Sequence, residues 1–535
     1  MLTGLALLAT ASCSDPDDEI TTTDLDRLLR PTELELKIFD KTNIKATMDF
    51  VNVPDYLDII IEVNENPLSE DKEFKVLKTM TLQPRDYLGP TKDASLSSAN
   101  THATFVDSIR GLSYFKDYRV SFIARNADGT ISNPSTEVAT TDGIFKASTD
   151  DDRTNTSLTV KWPSDVAVTM VRTMKMNGDT EELVAEDLIE DATKGKFTKT
   201  GLDPNTEYIF YVYNGDDCQG RTTNTTFPNY TEFTAQDDFD LQAAIDGLAE
   251  GYALMLSPDE DGTNEFNLVS STVNITKSVR IMARNTKPVI VNKAAFNLDG
   301  ATGLSLENIT FADVEKKLAL LKFTNATGDY KVSNVEVTGY KNFAQDPGSN
   351  ECEVNQLLVV NCFMHDGISG RWMDFQKKKC YIKDITITQN TFANIANNQD
   401  FLRYDYYEAH MPTILLENNS FYKVNASSKG IMYVRSNAQG DKAFKCDINK
   451  NIFEACKETY FSEDKRTDAL TFSKNYYKNS DGLTTAFTAE QTAYDPSPNT
   501  YTGTSAFKDP DKNDFTVRNT TLVNAGVGNT EFVKK

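Results

Sequence analysis

From residue 235 onward, apolar and polar positions follow one short frame that recurs down the chain. In 382–395 and 412–424 an asparagine, Asn390 or Asn419, has apolar residues five and three positions before it and phenylalanine two after. These are Ile385, Ile387 and Phe392, then Ile414, Leu416 and Phe421. The frame also fits Leu358/Asn361/Phe363, Cys446/Ile448/Asn451/Phe453 and Leu470/Phe472/Asn475/Tyr477. Without the asparagine it extends upstream to Val335/Val337/Tyr340, Leu304/Leu306/Ile309/Phe311 and Val279/Ile281/Arg284. Anchor spacings in this register run 25, 31, 21, 29, 29, 32 and 24 residues. Alternation within each rung and a repeat of 20–30 residues predict one inward-facing strand per coil of a solenoid. One coil cannot bury its inner face, whereas stacked coils bury a continuous core. Like residues then lie about 4.8 Å apart, the spacing of neighbouring strands. The asparagines fall at a bend, where Asn tolerates left-handed backbone and can bond to the Asn of the next rung. The segment 239–258 opens this region with a helix-like stretch that sets Leu241, Ala244, Ile245 and Leu248 on one face. Such a helix caps the exposed end of the solenoid.

The front of the chain has a different pattern, of short strands separated by polar turns. "LDIIIEV" (57–63) is an apolar run and "YRVSFIARN" (118–126) alternates with period two. "SLTVKWP" (157–163) sets Trp162 on an early strand, and "GLDPNTEYIFYVYN" (201–214) leads a turn into an alternating strand containing Tyr208. In the first of these regions Tyr118 takes the place of Tyr208, but the turn proline and the tryptophan have no counterpart. The expected organisation is therefore all-β: sandwiches over 31–142 and 143–234, followed by a solenoid over 235–535.

Composition narrows the possible partners. The 535 residues carry a formal charge of −24. That charge argues against a nucleic-acid partner, because phosphate binding requires clustered Lys and Arg. Seven cysteines without a CxxC pair and three scattered histidines argue against a Cys/His zinc site. The six after Cys13 read as buried thiols in preference to disulfides, which spacing leaves open, with Cys352 and Cys380 stacking on adjacent rungs and Cys446 pointing inward.

The first thirteen residues add a location. Leu5 to Ala9 form an apolar run too short to span a bilayer, which needs about 20 residues. It leads through Thr10-Ala11-Ser12 to Cys13, and an acidic linker fills 14–30. This stretch resembles a bacterial lipoprotein signal, which implies acylation of Cys13. The acidic cluster after it is similar to the export signal of Bacteroidota surface lipoproteins, which implies an outer-membrane, surface-exposed, lipid-anchored protein.

Two further resemblances follow from the patterns above. The Trp162–Tyr208 pairing resembles fibronectin type III domains, with Trp162 in the core and Tyr208 at the corner. The first sandwich resembles them through Tyr118 alone. Residues 235–535 resemble the right-handed parallel β-helix of the pectin-lyase-like superfamily, and 507–528 look like the closing segment of such helices. The whole layout is similar to that of Bacteroidota glycan-utilisation lipoproteins, which implies a polysaccharide partner and a neighbouring SusC/SusD-type transporter.

Candidate chemistry comes from extending the register past each bend. It sends Met373/Phe375, Leu402/Tyr404 and Ile431/Tyr433 inward. The outward positions are then Trp372, Asp374 and Gln376, then Phe401, Arg403 and Asp405, then Gly430, Met432 and Val434. Exposed Trp372 and Phe401, with Asp374, Arg403 and Asp405 beside them, would suit sugar-ring faces and a carboxylate. Residues 367–442 hold ten Lys/Arg against seven Asp/Glu, with Lys377–Lys379 and Lys383 contributing, so this stretch is locally basic. The expected ligand is thus a uronate-containing, pectin-like glycan. A plainer account also fits: Asp374 and Arg403 as a cross-rung ion pair worth under about 1 kcal/mol. In the resembling superfamily, lyases use a strong base near calcium, which would cast Arg403 as base and Asp374 and Asp405 as calcium ligands. The motifs of its polygalacturonases and pectate lyases are not in this chain, so no catalytic residue is assigned and binding is preferred to catalysis. No cofactor is expected, with calcium left open. A surface adhesin with no glycan role would use the same layout.

Overall fold

The computed structural model describes residues 28–39, 41–50, 53–84, 103–348, 350–367, 370–377, 379–396, 398–405, 411–424, 430–435, 444–456, 460, 470–484, 495–496 and 498–532. Cys13 and most of the acidic linker lie outside them. The chain forms two compact units, a pair of sandwiches and a parallel β-helix.

In the first sandwich a three-stranded sheet (Thr32–Phe39, Asn43–Phe50, Ala103–Ile109) accompanies a four-stranded one. The latter is ordered Lys75–Leu82, Tyr56–Asn64, Asp117–Arg125, Ser135–Thr140. Alternation along Tyr56–Asn64 sends Leu57, Ile59 and Ile61 into the core against Tyr118, Val120 and Phe122. The second sandwich repeats the four-stranded order with Thr180–Leu188, Met170–Asn177, Glu207–Asn214 and Asp217–Thr225, accompanied by the pair Ser157–Lys161 and Lys196–Thr200. Both are fibronectin type III-like. Trp162 is fully buried in the second core with Tyr208, and the hydroxyl of Tyr118 accepts the Ser113 amide at 2.9 Å to pin its corner.

The β-helix has three parallel sheets. The first holds ten strands from Tyr230–Thr234 to Leu470–Ser473, so the helix begins a few residues before 235. The second holds ten from Glu265–Asn267 to Asn499–Thr500, and the third seven from Thr272–Ile275 to Met432–Arg435. A short helix, Leu241–Asp246, follows the first of these strands, with Leu241, Ala244 and Ile245 buried; Asp240 caps it by accepting the Ala243 amide.

From the coil of Asn308 onward, each coil turns between the first and second sheets through one residue with positive φ: Asn308, Asn334, Asn361, Gln389, Asn418, Lys450 and Lys474. The next residue points inside. The bend residue is thus the one before the interior asparagine, not that asparagine itself. Asn390, Asn419, Asn451 and Asn475 form a buried chain, each Nδ2 donating to the Oδ1 of the next at 3.0–3.1 Å. Two upstream rungs sit elsewhere than the sequence frame places them. Cys362, not Asn361, occupies the interior slot and donates its amide to Asn390 Oδ1 at 2.9 Å, so Phe363 points outward. Val335, not Tyr340, anchors the rung before it. Asn361–Phe363 mimics the spacing of Asn390–Phe392 while lying one residue out of phase.

All six described cysteines are free thiols and buried, and Cys352 and Cys380 are register partners. Downstream, the outer face of the second sheet is covered by the closing segment. Ala506, Phe507, Phe515, Leu522 and Phe532 pack on Ala393, Tyr422 and Ile452.

Candidate functional site

The third sheet presents one outward residue per rung: Asn297, Lys322, Gln345, Asp374, Arg403 and Tyr433, each aligned with the next. All six are half-buried. The inward partners are as expected on two rungs, Met373/Phe375 and Leu402/Tyr404. On the third the register moves by one, so Met432 and Val434 face in and Tyr433 faces out. The physical reason is that the coil lengthens between successive rungs, so a fixed offset from the anchor drifts.

Three of the expected contact residues are not on the surface. Trp372 and Phe401 are fully buried and Asp405 is 2% exposed. Trp372 and Phe401 precede their strands at a corner, where alternation does not continue and both the corner residue and the next point inward. They form an interior column, Phe343–Trp372–Phe401, with centroids 4.9 Å apart and rings nearly parallel. Phe392 meets both Trp372 and Phe401 edge-on at 5.5 and 5.0 Å. Asp405 lies under the face and takes a two-pronged contact from Arg403, Nε to Oδ1 and Nη2 to Oδ2, both 2.9 Å.

What the structure does bring together is a compact group of charges around Asp374 and Arg403. Arg371, missed in the sequence, approaches Asp374 at 3.4 Å and Asp400 at 3.5 Å. Gln376 donates to Asp374 Oδ2 at 3.1 Å, while Asp374 Oδ1 is enclosed without a hydrogen-bond partner. The Arg403 guanidinium lies over the Tyr433 ring at 4.9 Å, a cation–π distance. Its hydrogen bond to Asp405 outweighs burial and holds the guanidinium above its ordinary pKa. That favours the protonated form, the opposite of what a lyase base needs.

Asp374 and Asp405 both contact guanidinium groups, and among the described residues no group of three or more His, Cys, Asp or Glu side chains is placed to hold a metal ion. Two described lysines of the basic stretch lie off this face. Lys379 pairs with Glu351 at 3.1 Å, and Lys383 lies in a strand of the first sheet. Among the described side chains around Arg403, two guanidiniums stand against the three carboxylates Asp374, Asp400 and Asp405. Tyr433 and Arg371 became visible only through the true register, since neither occupies an outward slot of the fixed offset.

The β-helix matches two family models. One is "Domain of unknown function (DUF4957)", over residues 262–395, and the other "Domain of unknown function (DUF5123)", over 414–530. No curated protein matches the chain. Similar solved structures include a two-domain fibronectin type III segment of chicken tenascin, 19% identical with TM-score 0.20, covering 36% of this chain and 97% of that one. A central fibronectin III array of RIM-binding protein is 15% identical with TM-score 0.12, covering 37% and 69%. The FN1–FN3 domains of chicken CNTN1 are 12% identical with TM-score 0.13, covering 38% and 68%.

Proposed function

We propose that this protein is a surface polysaccharide-binding lipoprotein, anchored through Cys13, that engages glycan along the third sheet of a pectin-lyase-like β-helix. The observation that carries the reading is the outward column ending in Asp374, Arg403 and Tyr433, with Arg371 alongside. Rungs about 4.8 Å apart offer a linear register suited to an extended chain of repeating sugars. Tyr433 supplies a planar aromatic for a ring face, and the two guanidiniums supply donors for carboxylates. Lys322 and Arg403, three rungs apart, are the cations of this column that a uronate carboxylate would meet. The sandwiches serve as spacers, and a SusC/SusD-type transporter is the partner class this role implies.

Affinity electrophoresis through polygalacturonate tests the reading. Tyr433→Ala and Arg403→Gln are expected to weaken retention several-fold, as loss of an anchor in a small interface does. The Arg403 change should matter less in a methyl-esterified gel, where the carboxylate partner is masked. Wild-type protein that runs unretarded in both gels, or variants retarded as strongly as wild type, would remove the assignment.

A further inference from the structure

A second concave surface lies on another side of the β-helix, where the cover over the second sheet ends. It is a groove of about 600 Å³, within the size range of small-ligand sites. Its floor follows the left-handed corner positions of three successive rungs, Asn308, Asn334 and Asn361. Asn361 Nδ2 donates to Asn334 Oδ1 at 2.6 Å, which orients the two amides in series. Asn308 donates Nδ2 to the Ala283 carbonyl at 2.9 Å, yet its Oδ1 has no partner although the residue is only 8% exposed. That oxygen has no surface open to the groove, so the half-buried amides of Asn334 and Asn361 are the ones a ligand meets.

The walls narrow the ligand's chemistry. Phe363, turned outward by the true register, and Phe532 of the closing segment meet at 5.3 Å and give the groove an aromatic side. Glu336 and Glu531 also line it. Glu336 is fixed by His365, whose Nε2 lies 2.9 Å from its Oε1, while His365 Nδ1 lies 3.0 Å from Asp366. Amides offer donors and acceptors together, as a string of hydroxyls requires, and the aromatic side suits the C–H face of a sugar ring. The lining sets these two carboxylates against one cation, Lys512, a balance that disfavours a uronate. We infer that this groove is a second carbohydrate site, selective for a neutral glycan, and distinct from the third-sheet face.

The test runs the full chain through gels containing neutral galactan, xylan or glucomannan, beside a polygalacturonate gel. Asn361→Asp keeps the size and left-handed tolerance of the corner residue but replaces a donor with a charge. It is expected to weaken retention at least about fivefold in whichever neutral gel retards wild type. Asn285→Ala, at an exposed residue of the rim, should weaken it about twofold without disturbing the fold. Asn285→Ala should keep wild-type thermal melting, Asn361→Asp should melt somewhat lower because its carboxylate cannot donate to Asn334 Oδ1, and both should keep wild-type behaviour toward polygalacturonate, which separates this site from the one around Arg403. The inference falls if no neutral gel retards wild type, if both variants migrate like wild type, or if neutral and acidic retention decline together.

Discussion

The upstream and downstream halves of the β-helix follow the same backbone path with different interiors. Upstream, the slot after the left-handed corner holds Ile309, Val335 and Cys362. Downstream it holds Asn390, Asn419, Asn451 and Asn475, all fully buried. Each of these amides also donates to a backbone carbonyl of an adjoining coil, as Asn390 does to Val359 at 2.9 Å and Asn419 to Ile387 at 2.8 Å. The neighbouring interior slot holds Phe311, Val337 and Met364 upstream and an unbroken stack of rings, Phe392, Phe421, Phe453 and Tyr477, downstream. The outside differs as well: downstream the second sheet is covered by the closing segment, and upstream of Phe363 it borders the groove. One corner geometry therefore accepts either apolar packing or a continuous amide chain. The amide chain is stable only while every member has its partners.

The largest test of this contrast is Phe392→Ala, which removes the ring shared by the two aromatic columns. It should cost about 3–5 kcal/mol, the usual price of deleting a core aromatic. In calorimetry the transition of the β-helix should drop while that of the sandwiches stays in place. A variant as stable as wild type would mean that the columns contribute little.

Asn390→Ala should cost less, about 2 kcal/mol, by leaving the buried Cys362 amide and the Asn419 oxygen short of partners. Denaturant unfolding followed by circular dichroism reads the difference. A loss below about 0.5 kcal/mol would show that the downstream chain behaves like the apolar slots upstream.

The smallest effect belongs to the boundary between the halves. Burial lowers the His365 pKa, but hydrogen bonds to Glu336 and Asp366 outweigh it and leave the imidazole above 6.5. A raised folded-state value means the contribution is complete below pH 6.5 and is lost as pH rises through the folded value. Asp366, lowered despite burial by bonds from His365, Asn513 and Asn394, adds stability above its ordinary 3.8 that is lost as pH falls. Thermal midpoints should therefore fall slightly from pH 6 upward in wild type and not in His365→Gln. Parallel profiles for the two proteins would contradict the ion-paired arrangement.

Alternation places Met373, Phe375, Leu402 and Tyr404 inside and Asp374 and Arg403 outside, as found, but it fails at Asp405, at the end of its strand, and at Tyr433, one rung on. The four downstream asparagines and the aromatic two positions later were equally legible, because a buried amide chain tolerates few substitutes. Corners were not legible. Trp372 and Phe401 lie where the chain changes direction, so period two cannot be carried through them, and their burial removed the aromatic part of the expected surface. The groove was invisible for a related reason. Asn308, Asn334 and Asn361 share a column only once the upstream anchors are moved to Val335 and Cys362, and the wall opposite comes from residues some 150 positions later.

The interior position of Trp372 has a spectroscopic consequence. The chain has two tryptophans, one buried in the second sandwich and one inside the β-helix. Trp162 and Trp372 are thus native optical probes of separate units. Replacing either by phenylalanine yields a protein whose remaining indole emission reports the opening of a single unit, without any attached dye.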